Sequence, residues 1–111
     1  MPRNSSTSEL NFGLLDQSPT AVATANGGTI DTSVDVTRVS PAAAVTGVIL
    51  ANGRFVGQEA IIINEAIAAN SITFAAAGTS NVSDGVADVI PGVTARAYIW
   101  DTATQLWYVE K

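Results

Sequence analysis

The sequence predicts an all-β domain, a small β-sandwich or barrel-like unit of about six to eight short strands behind an extended N-terminal arm. Three observations predict it. β-Branched and aromatic runs recur at short spacing along the chain. Turn-forming steps (Asn26-Gly27-Gly28, Asn52-Gly53, Asp84-Gly85, Pro91-Gly92) punctuate them, because Asn, Asp and Gly tolerate the backbone of tight turns. The alanine-rich stretches 42–44 and 75–77, helical by propensity, each have Pro or Gly within a few residues and read as loops or single turns.

Residues 1–20 form the arm and 21–111 the single β domain. The arm is polar apart from Leu10, Phe12, Leu14 and Leu15; Gly13 weakens a helix there and Pro19 ends one. Those four side chains either pack onto their own domain or dock on a neighbouring chain. In the β domain, strand-like runs cover 30–39, 45–50, 60–64, 71–74, 86–90, 95–100 and 106–110. Val34 and Val36 alternate with Asp35 and Thr37, and Val39 falls out of step, which suggests a bulge or the strand's end. Ile61-Ile62-Ile63 has no polar face and reads as a strand covered on both sides.

The last two runs, Tyr98-Ile99-Trp100 and Leu106-Trp107-Tyr108, flank Asp101-Thr102-Ala103-Thr104-Gln105 and read as a hairpin. A five-residue loop pairs Trp100 with Leu106, Tyr98 with Tyr108 and Arg96 with Glu110, joining aromatics and opposite charges across the strands. It assigns Ile99, Trp107 and Val109 to the core with Ile61, Ile63 and Phe74. Tyr98, Trp100, Leu106 and Tyr108 then form a second face suited to an oligomer interface. A four-residue loop exchanges the faces of one strand.

Composition narrows the function. The chain has 111 residues, enough for one domain with a real core, and a net charge of −5. That charge argues against nucleic-acid binding, which needs a basic surface. With no histidine and no cysteine, it lacks the usual neutral-pH base, thiol nucleophiles, disulfides and the common zinc ligands. Only 14% of residues are charged against 47% hydrophobic, a composition that suits a β domain whose neighbours cover its surface. No secretory leader or membrane-length apolar run is visible, so synthesis in a cytoplasm and no membrane partner are expected.

The carboxylates are the only acid–base candidates. Asp31 and Asp35, like Asp84 and Asp88, are four apart, which on a strand is about 13 Å and too far for a working pair. Tertiary pairing, such as Glu59 with Glu65, stays open, and a small hydrolase built on it is a distant reading. No calcium loop or phosphate loop is present, and 81–85 reads as a turn. Catalytic residues, metals and cofactors are therefore not expected.

The run from Val48 through Gly57-Gln58 and the buried strand to Asn64, then Ser71-Ile72-Thr73-Phe74, Asn81-Val82-Ser83-Asp84-Gly85, Ile90-Pro91-Gly92 and Trp107-Tyr108, resembles capsid decoration (cement, head-stabilising) proteins of tailed bacteriophages. The resemblance spans roughly residues 45–110 and rests on turn chemistry and hydrophobic pattern. It implies a non-enzymatic virion protein on the outer capsid surface, made in the host cytoplasm. Such a protein binds the major capsid protein, forms a homotrimer and stabilises the capsid, with Leu10, Phe12, Leu14 and Leu15 as a capsid- or neighbour-contact arm. A receptor- or glycan-binding module of a tail or head fibre, using the Tyr98 and Trp100 face, is the alternative.

Overall fold

The computed structural model describes Gln17 and residues 20–110. Leu10, Phe12, Leu14 and Leu15, on which the arm expectation rests, lie outside the described residues. The strands in chain order are β1 (Thr29–Ile30), β2 (Val36–Val39), β3 (Val45–Leu50), β4 (Glu59–Asn64), β5 (Ile72–Phe74), β6 (Val89–Ile90), β7 (Thr94–Asp101) and β8 (Leu106–Val109). A single 3-10 turn, Gly85–Ala87, precedes β6. The all-β prediction holds, and of its two forms the structure is a sandwich of two four-stranded sheets, ordered β1-β3-β5-β6 and β2-β4-β7-β8.

The winding differs from a stack of hairpins. Strands β1 to β5 alternate between the sheets, so same-sheet neighbours run parallel: β1 with β3, β3 with β5, and β2 with β4. Parallel neighbours need a long crossover, and here each crossover passes through the opposite sheet. The chain then reverses: β6 is antiparallel to β5, β7 to β4 and β8 to β7. Turn signals such as Asn52-Gly53 therefore mark arches between sheets. Gly53 serves a close approach there, because a Cβ on it would lie 2.2 Å from the Trp100 ring.

Between the sheets lie Ile30, Val48, Leu50, Ile72, Phe74 and Ile90 from one side, and Val39, Ile62, Tyr98, Trp100 and Trp107 from the other. Phe74 meets Tyr98 edge-on with ring centroids 5.9 Å apart, and the Trp100 and Trp107 rings lie 5.2 Å apart. Trp107 Nε1 donates to the Ala51 carbonyl at 2.9 Å, tying the second sheet to the end of β3. Residues 81–83 cover the free edge of β8: Trp107 N donates to Asn81 O at 2.7 Å, and Ser83 N donates to Trp107 O at 2.9 Å.

Several placements are corrected. The β7–β8 hairpin has the four-residue loop, with Tyr98 opposite Val109, Ile99 opposite Tyr108, Trp100 opposite Trp107 and Asp101 opposite Leu106. Tyr98 and Trp100, expected at an oligomer interface, are core residues, and Ile99, expected in the core, is 40% exposed. Arg96 consequently does not face Glu110. The turn chemistry decides this: Asp101 accepts from Ala103 N and Thr104 Oγ1, and Gln105 takes a left-handed backbone with φ 57°, donating its N–H to Asp101 O.

Ile61 and Ile63 are also corrected, because Ala60 and Ile62 are the apolar core residues of β4, and Ile61 and Ile63 point out of the sandwich, half-buried. Of the two readings of Val39, the strand's end holds, because β2 stops there, with Thr37 and Val39 turned inward and no bulge. Thr37 enters the interior because its Oγ1 donates to the Asp31 carbonyl at 2.8 Å. Phe74 and Trp107 lie in the core as expected, with Val109 packed against it.

Candidate binding surfaces

Among the described residues, exposed apolar side chains gather on two surfaces, with Val22 and Val86 exposed singly elsewhere. The first is the outer face of the β2-β4-β7-β8 sheet. Its rows follow from the register: Val36, Ile61 and Ala97; Arg38, Ile63 and Ala95; Glu59, Ile99 and Tyr108. Every described strand belongs to one of the two sheets, so among the described residues no strand or helix packs on this face. Of the residues expected at an interface, Tyr108 lies here, 40% exposed, and Leu106 beside it is half-buried. Sequence reasoning missed Ile99 as a surface residue. The small-residue alternation Ala95-x-Ala97 was the available signal.

Carboxylates fringe this face. The Glu59 carboxyl hydrogen-bonds that of Glu110 and is raised above the ordinary carboxylate range, first by that bond, then by partial burial and by the charges of Glu110 and Asp35. Glu65 instead pairs with Arg38, Nη2 to Oε1 at 3.1 Å, and that hydrogen bond holds its carboxyl below the ordinary range. The open pairing of Glu59 with Glu65 is thus replaced by two separate ones. The Glu59–Glu110 pair sits at the rim of an open sheet. Among the described residues, no group of three or more carboxylates, histidines or cysteines is arranged to hold a metal ion.

The second surface consists of two loop tips. At the start of β4, Arg54-Phe55-Val56-Gly57 carries Phe55, 59% exposed, and Val56. Gln58 braces this loop from behind. Its side chain is buried, with Oε1 accepting from Arg54 N and Nε2 donating to Thr32 O at 3.1 Å. At the other end of β4, Ile67 and Val93 stand exposed on adjacent loops. Val93 holds a left-handed φ of 62°, unusual for a β-branched residue, while its N–H donates to Asn64 O at 2.8 Å. Gly92 makes the approach possible, since a Cβ there would lie 1.8 Å from the Ile67 carbonyl oxygen.

Fully buried Asn64 fixes the same end. Its Nδ2 donates to Asn70 O and Ile90 O at 3.0 and 3.1 Å, and its Oδ1 accepts from Ala66 N at 3.0 Å. Sequence reasoning saw Asn64 as a strand end, but the staple it makes is tertiary.

Chemically the strongest group is Asp88, which the sequence placed in the strand-like run 86–90. It is buried, with Oδ2 accepting from Tyr98 Oη at 2.7 Å and Oδ1 from Arg96 Nη1 at 2.9 Å. Arg96 Nη2 also donates to Val89 O at 2.9 Å. Burial, then the bond to Asp88, drives the Tyr98 hydroxyl far above its ordinary value, so it stays a donor. Both carboxylate oxygens are engaged by the fold, and this cluster ties β6 to β7.

No protein family matches the chain, and neither a curated protein nor a solved structure shows significant similarity to it.

Proposed function

We propose that the chain is a non-enzymatic structural protein that binds the outside of a tailed-phage capsid and joins neighbouring major capsid proteins, acting as a homotrimer. One observation carries this reading beyond the resemblance: stiffly held apolar tips at opposite ends of one sandwich. Phe55 and Val56 precede β4, and Ile67 and Val93 lie beyond its far end. The six residues of β4 separate them by about 20 Å. Such a body can touch two neighbours at once, and weak apolar contacts repeated by symmetry sum to firm attachment. Low charge density suits a protein whose surface is covered by its assembly.

The fibre alternative relied on Tyr98 and Trp100 as a glycan platform, and both rings are inside the core. The test is sedimentation of the purified chain with expanded capsids built from the major capsid protein of the phage that encodes it. The chain should pellet at a fixed ratio to the capsid protein and raise the capsid's melting temperature. Phe55→Asp and Ile67→Asp should each weaken binding, and the double variant should abolish it while the isolated domain melts normally. A parent chain that stays in the supernatant overturns the proposal.

A further inference from the structure

Turn steps in which Asn or Asp precedes Gly occur at Asn26-Gly27, Asn52-Gly53 and Asp84-Gly85, and the fold treats their glycine nitrogens differently. Gly27 N donates to Thr46 O at 2.9 Å, and Gly85 N donates to Val82 O at 3.0 Å. Among the described residues, Gly53 N has no acceptor. That nitrogen is the nucleophile when an asparagine side chain closes on the residue after it, and glycine has no side chain to block the approach.

We propose that Asn52 is a site of spontaneous, backbone-assisted deamidation, which the fold permits there and restrains at Asn26. Gly53 N gives its proton to solvent hydroxide and attacks Asn52 Cγ, forming an N–Cγ bond. The tetrahedral intermediate then breaks the Cγ–Nδ2 bond, and ammonia leaves with a proton returned by water. Water opens the resulting cyclic imide at either carbonyl, to aspartate or to isoaspartate, and nothing is oxidised or reduced.

Two further features of the arch between β3 and β4 favour the step. Asn52 is exposed, so base and water reach it. Its Oδ1 already accepts from Asn81 Nδ2 at 2.9 Å, a donor placed on the oxygen that turns anionic in the intermediate. Asn81 is itself fixed, with Oδ1 accepting from Leu50 N at 3.2 Å and Nδ2 also donating to Leu50 O. Asn26 Oδ1 has a comparable donor in Thr46 N at 2.9 Å, so the oxygen does not separate the two sites. The glycine nitrogen does, because Gly27 N must first break its bond to Thr46 O. At Asn52 the product meets the core: isoaspartate lengthens the main chain beside Gly53, where the Trp100 ring leaves no room even for a Cβ.

Trypsin separates the two sites, since cleavage after Arg3, Arg38 and Arg54 puts Asn26 in peptide 4–38 and Asn52 in peptide 39–54. Fragmentation mass spectrometry then places each replacement of NH2 by OH. In the folded chain at mildly alkaline pH, Asn52 should deamidate at least about fivefold faster than Asn26, the factor that one broken hydrogen bond is worth. In guanidinium chloride the two rates should match, because both steps are then plain Asn-Gly. Asn81→Asp keeps an acceptor for Leu50 N but removes the donor, and should slow the reaction at Asn52 severalfold in the folded chain. Equal rates in the folded chain, or a faster Asn26, would overturn the proposal. The same preference for Asn52 in guanidinium chloride would assign it to neighbouring sequence and overturn the role of the fold. A folded Asn81→Asp variant that deamidates at the parent's rate would overturn the part given to the Asn81 donor.

Discussion

The inner and outer faces of the β2-β4-β7-β8 sheet are made by the same strands and treat polar groups in opposite ways. On the inner face, Tyr98 and Arg96 each find a partner in Asp88, and Trp107 Nε1 finds the Ala51 carbonyl. On the outer face, Glu59 and Glu110 are held together although their charges repel. An unanswered donor inside costs the full loss of its hydration, whereas water and salt soften a bad contact outside. The inner face therefore selects the register, and the outer face is left free to carry surface function.

The largest effect that tests this contrast is on Trp107. Trp107→Ala should cost about 3–5 kcal/mol, because a fully buried ring and its hydrogen bond are lost together. Ile99→Ala, one strand away and facing out, should cost less than about 1.5 kcal/mol. Denaturant melts of the two variants measure the difference. Equal losses would mean that Ile99 is a core residue and that the hairpin has the five-residue register after all.

That register shows what was legible in the sequence. The ranges of β3, β4, β5, β7 and β8 follow from hydrophobic runs and were readable to within a residue. Pairing was not, for two physical reasons. The hairpin turn puts Gln105 in a left-handed conformation where a sequence reader expects Gly or Asn, and Asp101 caps the turn through its side chain. Second, alternation between sheets leaves no local mark: an Asn-Gly step looks the same in a hairpin and in an arch. Thr37 hides in a different way, since its bond to the Asp31 carbonyl, six residues back, satisfies its hydroxyl in the interior. Of the candidate surfaces, Tyr108 was legible. The apolar loop tips and the Asp88 cluster depend on which distant loops meet, and no spacing encodes that.

The next effect belongs to Asp88. Asp88→Ala should cost about 2–3 kcal/mol, chiefly because the Tyr98 hydroxyl is left buried without an acceptor. Arg96 is partly exposed and can turn toward water, which limits its share. Adding Tyr98→Phe should recover part of the loss, since the stranded hydroxyl is then removed with its partner. A double variant that melts as low as the sum of the two single ones would show that the hydroxyl is not the cause.

The smallest effect lies on the outer face and depends on pH. The Glu59 carboxyl is raised in the folded chain, so folding favours its protonated form. Stability from this group is present at low pH and is lost as pH rises through the raised value. Glu110→Gln removes one repelling charge and should raise the melting midpoint slightly at pH 7, with the gain shrinking as pH falls through the raised Glu59 value. Glu65 runs the other way. Arg38 lowers its carboxyl, so its contribution is present at neutral pH and is lost as pH falls through the lowered value. Glu65→Gln should therefore lower the midpoint slightly at pH 7 and do nothing in strong acid. Both variants act at the surface, so about 0.5 M salt should shrink both effects, while the loss in Trp107→Ala stays. A Glu110→Gln gain that is the same at every pH would show that repulsion between the two carboxylates is not its source.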